Sequence, residues 1–171
     1  MTDRQGAVTF KGNPLTLVGN QIKQGQAAPA FSAVATDMSE KSLADYVGKV
    51  VVICSVPSLD TPVCDTETRR FNKEAEKLGK GVVVLVVSMD LPFAQSRWCG
   101  AAGVKNVVTL SDYRDRAFGS AYGLYVKELG LLARAVLVID KQAKVRYVQV
   151  VAEMTNEPDY AAALQAAKAA V

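Results

Sequence analysis

The stretch Val50-Val-Val-Ile-Cys-Ser-Val-Pro-Ser-Leu-Asp-Thr-Pro-Val-Cys64 sets how the rest of the chain is read. Its first half is an unbroken apolar run, as expected of a strand buried on both faces. Pro57 ends the run, and Thr61-Pro62 reads as a helix start. Thr61 suits the N-cap, its hydroxyl accepting from a backbone N–H two or three residues on. Pro62 suits the first helical position, where no N–H is needed. A helix from Pro62 to Leu78, stopped by Gly79, follows. Cys64 then falls in the first turn, where unpaired N–H groups and the positive end of the dipole favour a thiolate over a thiol. A buried, inert cysteine is the alternative.

Cys64, Phe71, Ala75 and Leu78 recur on one side of this helix. Glu67, Arg70, Lys73, Glu74 and Lys77 are assigned to the other. The sulfur should therefore face the seam between helix and sheet. Asp65 and Glu67 suit the helix dipole but repel a thiolate. A strongly acidic Cys64 needs a cation from elsewhere.

The 171 residues suffice for one domain with a real core, expected to span the whole chain 1–171. Half of them are apolar and the net charge is only +3, with basic residues scattered, which argues against a nucleic-acid surface. No apolar run is long enough for a membrane span. The opening Met-Thr-Asp-Arg-Gln-Gly lacks a signal-peptide core, so the expected compartment is the cytoplasm, where structural disulfides are rare. Three cysteines without Cys-x-x-Cys spacing fit no usual zinc site. Histidine is absent, so any catalysis must run on cysteine, carboxylates, hydroxyls or arginine.

Outward from the central stretch, Val8 to Val18 alternates on both sides of Lys11-Gly-Asn-Pro14 and reads as a hairpin. Gln21 to Ala30 is a connection, Phe31 to Thr36 a strand, and Ser42 to Val47 a short helix or turn. Gly81 to Ser88 is a second wholly apolar strand, so strand, helix and strand form a right-handed βαβ unit with a parallel sheet. A helix near Pro92 should stop at Gly100. Val104 to Leu110 reads as a strand, Asp112 to Tyr122 as a helix, and Tyr125 to Leu132 as a loop. Ala135–Ile139 and Val145–Val151 flank a polar turn as an antiparallel hairpin, and Glu157-Pro158 opens a last helix. The reading is one α/β domain with a mixed sheet.

Cys54, mid-strand, is best read as core filler. Cys99, just before Gly100 at a helix end, is either packed by chance or placed where structure opens at least cost. Arg134 would ordinarily be a solvent-facing arginine. It gains meaning only if its strand neighbours the one feeding Cys64, where its guanidinium would be the missing cation.

Pro57-x-x-x-Thr61-x-x-Cys64 with a distant Arg134 resembles the peroxiredoxin active-site pattern. The chain is most similar to the bacterial thiol peroxidases, atypical two-cysteine peroxiredoxins. Asp90-Leu-Pro-Phe-Ala-Gln-Ser-Arg-Trp-Cys-Gly100, Leu132-Ala-Arg-Ala-Val-Leu-Val-Ile-Asp140, Glu157-Pro-Asp-Tyr160 and the opening Phe10-Lys-Gly-Asn-Pro-Leu15 share in the likeness, which spans nearly the whole chain. The segment between Tyr122-Gly and Leu131 is shorter than that pattern. The resemblance implies a thioredoxin-like fold with a mixed central sheet and an N-terminal β-hairpin. It implies Cys64 as the peroxidatic and Cys99 as the resolving cysteine, with Pro57, Thr61 and Arg134 completing the peroxide site. It further implies hydroperoxide substrates (hydrogen peroxide and alkyl or lipid hydroperoxides), reduction by thioredoxin with its reductase, a homodimer, and no metal, flavin or haem cofactor. Two other readings stay open on the same fold: a thiol–disulfide oxidoreductase, weakened by the missing Cys-x-x-Cys pair, and a redox-sensing or chaperone-like binding module.

Overall fold

The computed structural model describes residues 2–171. Its elements in chain order are β1 (Asp3–Phe10), β2 (Asn13–Val18), β3 (Ser32–Ala35), β4 (Glu40–Ser42), a 3-10 turn (Leu43–Tyr46), β5 (Val50–Ser55), α1 (Pro62–Leu78), β6 (Val82–Ser88), α2 (Pro92–Ala102), β7 (Val108–Ser111), α3 (Ala117–Ala121), β8 (Tyr125–Val126), β9 (Leu131–Leu132), β10 (Ala135–Ile139), β11 (Val145–Val150) and α4 (Tyr160–Ala169). Seven strands form the central sheet in the order β11-β10-β5-β6-β7-β3-β4. The pairs β5–β6 and β6–β7 are parallel and the others antiparallel, so the sheet is mixed. The N-terminal hairpin belongs to a separate antiparallel sheet, β1-β2-β8-β9.

β5 is apolar throughout because both its faces are covered. Val50, Val52, Cys54 and Val56 pack with Phe71 of α1, Trp98 of α2, and Tyr160 and Ala163 of α4. Val51 and Ile53 face the opposite cluster, with Leu17, Phe31, Phe118 and Tyr122. Cys54 is fully buried in the first cluster, as core filler should be, and burial pushes its thiol well up.

α1 begins and ends where expected, with Thr61 at the N-cap position, Pro62 opening it and Gly79 closing it at φ 80°, but without the expected capping bond from the Thr61 hydroxyl. α2 does not end where expected. Gly100 lies inside α2, which runs on to Gly103, the residue with the left-handed φ of 66°. Gly103 donates back to the Cys99 and Gly100 carbonyls, closing the helix there. The expected helix over 112–122 shrinks to α3. One turn forms over 113–115, closed by Arg116 N to the Asp112 carbonyl, but Arg116 adopts φ 55° and interrupts the helix, and the Asp112 carboxylate accepts from Phe118 N and Gly119 N of α3. The expected loop over 125–132 is the small hairpin β8–β9, and the strand expected over 104–110 begins only at Val108.

Candidate active site

Strand order brings the arginine to the cysteine. β10 pairs antiparallel with β5, Ala135 facing Ser55, and Ser55 Oγ donates to the Ala133 carbonyl at 2.8 Å to hold the entry to β10. Arg134, one residue earlier, is only 2 % exposed. Each of its three nitrogens has a partner: Nη2 approaches Cys64 Sγ at 3.4 Å, Nη1 bonds Glu67 Oε2 at 2.6 Å, and Nε donates to the Met154 carbonyl at 3.0 Å. Burial alone would lower the guanidinium pKa, but the Cys64 sulfur and the Glu67 carboxylate outweigh it and hold the cation. The cation sought in the sequence is therefore present.

Glu67 corrects the reading of α1. It is fully buried on the Cys64 side of the helix, not on the solvated side. The signal was available: residues 64, 67, 68 and 71 form the i, i+3, i+4, i+7 stripe of one helical face. Burial pushes its carboxyl up to about 7 despite Arg134.

The connection from β5 to α1 presents the remaining residues. Pro57 is buried. Thr61 stands at the N-cap, yet its hydroxyl makes no capping bond; it donates back to the Ser58 carbonyl at 2.9 Å. The loop is pinned by Asp90, two residues past the end of β6, which accepts from Ser58 Oγ at 2.7 Å, Leu59 N at 2.8 Å and Ser88 Oγ at 2.8 Å. Gln95, buried on α2, donates to Ser88 Oγ and to the Leu110 carbonyl. Sequence reading passed over Asp90, whose position just before Leu91-Pro92 marked only a boundary. Beside the first turn of α1, Pro62, Val63, Thr66, Thr155, Asn156 and Glu157 line an open cleft of about 320 Å³.

Cys99 stands apart from this group. All three cysteines are free thiols. Cys99 Sγ lies 3.7 Å from Thr109 Oγ1 on β7. Thr109 shares a rung of the sheet with Val86, Cys54 and Val136, so β7 is three strand spacings, about 14 Å, from β10.

A buried thiol and guanidinium at the start of a helix, over a mixed sheet flanked by helices, define a thioredoxin-like thiol enzyme. The Redoxin family model matches residues 23–164. The thiol peroxidase of Bacillus subtilis is 56% identical over 164 residues, covering 96% of this chain and 98% of that one. A peroxiredoxin-like protein from Aquifex aeolicus is 46% identical in its crystal structure, with a TM-score of 0.91 over 98% of this chain and 99% of that one. The thiol peroxidase of Chromobacterium violaceum, 21% identical, shares the fold at a TM-score of 0.82 over 91% of each chain. The chain belongs to the thiol peroxidases of the Redoxin family, and it is a thiol-dependent peroxidase. No helix among the described residues is long and apolar enough to cross a membrane.

Proposed function

We propose that this single-domain enzyme reduces hydrogen peroxide and organic hydroperoxides through Cys64, and that thioredoxin restores it. The observation that carries the reading is the 3.4 Å approach of Arg134 Nη2 to Cys64 Sγ in a buried site. The Cys64 thiolate attacks the peroxide, an S–O bond forms as the O–O bond breaks, and a sulfenic acid and an alcohol or water result. Arg134 and the free N–H groups of the first helical turn stabilise the charge that moves onto the departing oxygen. Thr61, with its proton committed to Ser58, keeps lone pairs to accept from the peroxide O–H. Pro57 shields the sulfur from water.

Cys99 then attacks the sulfenic acid to give a Cys64–Cys99 disulfide, which an external dithiol of the thioredoxin type reduces. Cys64 is held in the first turn of α1 against Arg134, whereas Cys99 rests on α2 against Thr109 of β7, and a disulfide needs Cα atoms within about 7 Å. Each thiol has its own partner on its own element, and we infer that the Cys99 end of α2 opens to join them. The first turn of α2 is anchored by Gln95, so opening falls on the turn after it, where a helix end yields at least cost. The enzyme acts as a homodimer in the cytoplasm.

Steady-state oxidation of NADPH through thioredoxin reductase and thioredoxin tests this, run with hydrogen, tert-butyl and cumene hydroperoxides. Turnover with at least one peroxide, abolished by Cys64→Ser, is expected. A Cys64→Ser protein retaining a tenth of the turnover would move the chemistry elsewhere. So would mass spectra of the oxidised protein that lack a Cys64–Cys99 peptide for the proposed resolution step.

A further inference from the structure

Cys64, Glu67 and Arg134 bring two acids and one cation into a site closed to solvent. Cys64 and Glu67 are both fully buried and lie on the same guanidinium, from adjacent donor groups. Among the described residues, Glu67 Oε1 has no hydrogen-bond partner. One positive charge balances one negative charge. With thiolate and carboxylate both ionised, the site would hold an uncompensated charge and an unsolvated carboxylate oxygen, the costliest arrangement in a protein interior.

Among the described residues, the groups around Glu67 do not supply a second cation. Cys54, on β5, is a thiol held neutral by burial and by Glu67 itself. Glu157, before α4, repels a Glu67 carboxylate. Tyr160, on α4, is also held in its neutral form, chiefly by burial. Arg70 of α1 is engaged over the Tyr160 ring, 4.0 Å from its centroid. Arg134 is the cation that Glu67 contacts.

We propose that Glu67 balances charge during peroxide reduction: it holds a proton while Cys64 is a thiolate and releases it as Cys64 becomes a sulfenic acid. The inference rests on the reading of Cys64 as the attacking cysteine. The thiolate electron pair forms the S–O bond, the O–O bond breaks, sulfur is oxidised and the peroxide is reduced to an alkoxide or hydroxide. That leaving group ends as ROH by taking one proton, and Glu67 gives one up as the thiolate charge beside Arg134 disappears, so the two cancel and little is taken from solvent. The negative charge passes from Cys64 to Glu67, and Arg134 exchanges one anionic partner for the other without moving. A carboxyl raised by burial to about 7 suits this exchange near neutral pH. Glu67 acts through Arg134 and is a positioning residue rather than a catalytic one.

Proton stoichiometry tests the idea, because a merely structural residue would leave it unmoved. In a Cys99→Ser background given one equivalent of hydrogen peroxide, the reaction stops at the sulfenic acid. A pH indicator in weak buffer at about pH 6.5 then reads the protons taken from solvent per Cys64 oxidised by hydrogen peroxide. Cys99→Ser should take up well under half a proton, and Glu67→Gln in the same background about one. Equal uptake in the two proteins overturns the assignment. Infrared difference spectra of Cys99→Ser need no Glu67 variant: a protonated-carboxyl band should be lost on oxidation as a carboxylate band grows, and a spectrum without that exchange overturns it equally. Dimedone labelling separates the two levels. No adduct on Cys64 removes both the Cys64 reading and this one, whereas an adduct with equal proton uptake removes Glu67 alone.

Discussion

Trp98 donates its indole N–H to Asp65 Oδ1 at 3.1 Å, so the residue before Cys99 is bonded to the residue after Cys64. The Arg69 guanidinium lies 5.7 Å from the Trp98 ring centroid. Any opening that frees Cys99 must break the first contact and disturb the second, and the chain has only this tryptophan.

Trp98 emission should therefore report the redox cycle. Stopped-flow mixing with peroxide should give a phase whose rate rises with peroxide concentration, then one independent of it. Cys99→Ser should keep the first phase, lose the second, and let Cys64 proceed to sulfinic acid in excess peroxide. A second phase surviving in Cys99→Ser would remove Cys99 from the resolving role.

Arg134→Lys should lower kcat/KM severely. A lysine ammonium cannot span Cys64, Glu67 and the Met154 carbonyl as the guanidinium fork does. Loss of such a preorganised contact costs about 2.7–4 kcal/mol, or about two to three orders of magnitude in rate. Thr61→Val, which deletes the hydroxyl bonded to Ser58, should be similarly damaging and Thr61→Ser mild. Near-normal kcat/KM in both Arg134→Lys and Thr61→Val would dismantle the site.

What was readable in the sequence was set by local chemistry. Pro62 and Gly79 fixed both ends of α1 because a cap depends on the residue at the cap alone. Arg134 was ambiguous because its environment is made by β10 lying beside β5, a pairing between residues some 80 positions apart. Glu67 was misassigned because its residue type outweighed its place three residues after Cys64, and only a buried partner makes such a place tenable. Gly100 misled because α2 absorbs a glycine, at about 1 kcal/mol relative to alanine, three residues before the left-handed Gly103 that ends it.

The pH dependence of stability should carry the Glu67 signature. Burial lifts its carboxyl from an ordinary 4.5 to about 7. Between these values the folded protein keeps a proton that the unfolded chain has lost, so stability falls as pH rises. The contribution is full below about pH 4.5 and gone above about pH 7. Urea unfolding of wild type and Glu67→Gln at about pH 5 and about pH 8 should show the difference moving in favour of the variant at the higher pH. A difference that stays constant would mean Glu67 titrates alike in both states.

Asp65, Arg69, Asn72 and Glu76 recur at spacings of four, three and four, one stripe along α1. Every one of them bonds the segment running from Trp98 to Asn106. Arg69 Nη1 donates to the Ala102 carbonyl at 3.1 Å, Asn72 Oδ1 accepts from Lys105 N at 3.0 Å and Asn106 N at 2.7 Å, and Glu76 Oε1 accepts from Asn106 Nδ2 at 3.0 Å. In the proposed resolution step these bonds would hold shut the segment that has to open for Cys99 to reach Cys64. Asn72→Ala removes the acceptor of two exposed backbone N–H groups, each bond worth about 0.5–1 kcal/mol net, the lower part of the usual range. Only the closed segment loses them, so the peroxide-independent phase should quicken by about 5–30-fold, the factor that one to two kcal/mol gives. The peroxide-dependent phase should not change, since Asn72 lies about two turns from Cys64. Less sulfinic acid should accumulate in excess peroxide, because faster resolution leaves the sulfenic acid a shorter life. If Asn72→Ala left the second phase at its wild-type rate, the stripe would be a surface contact and not a latch.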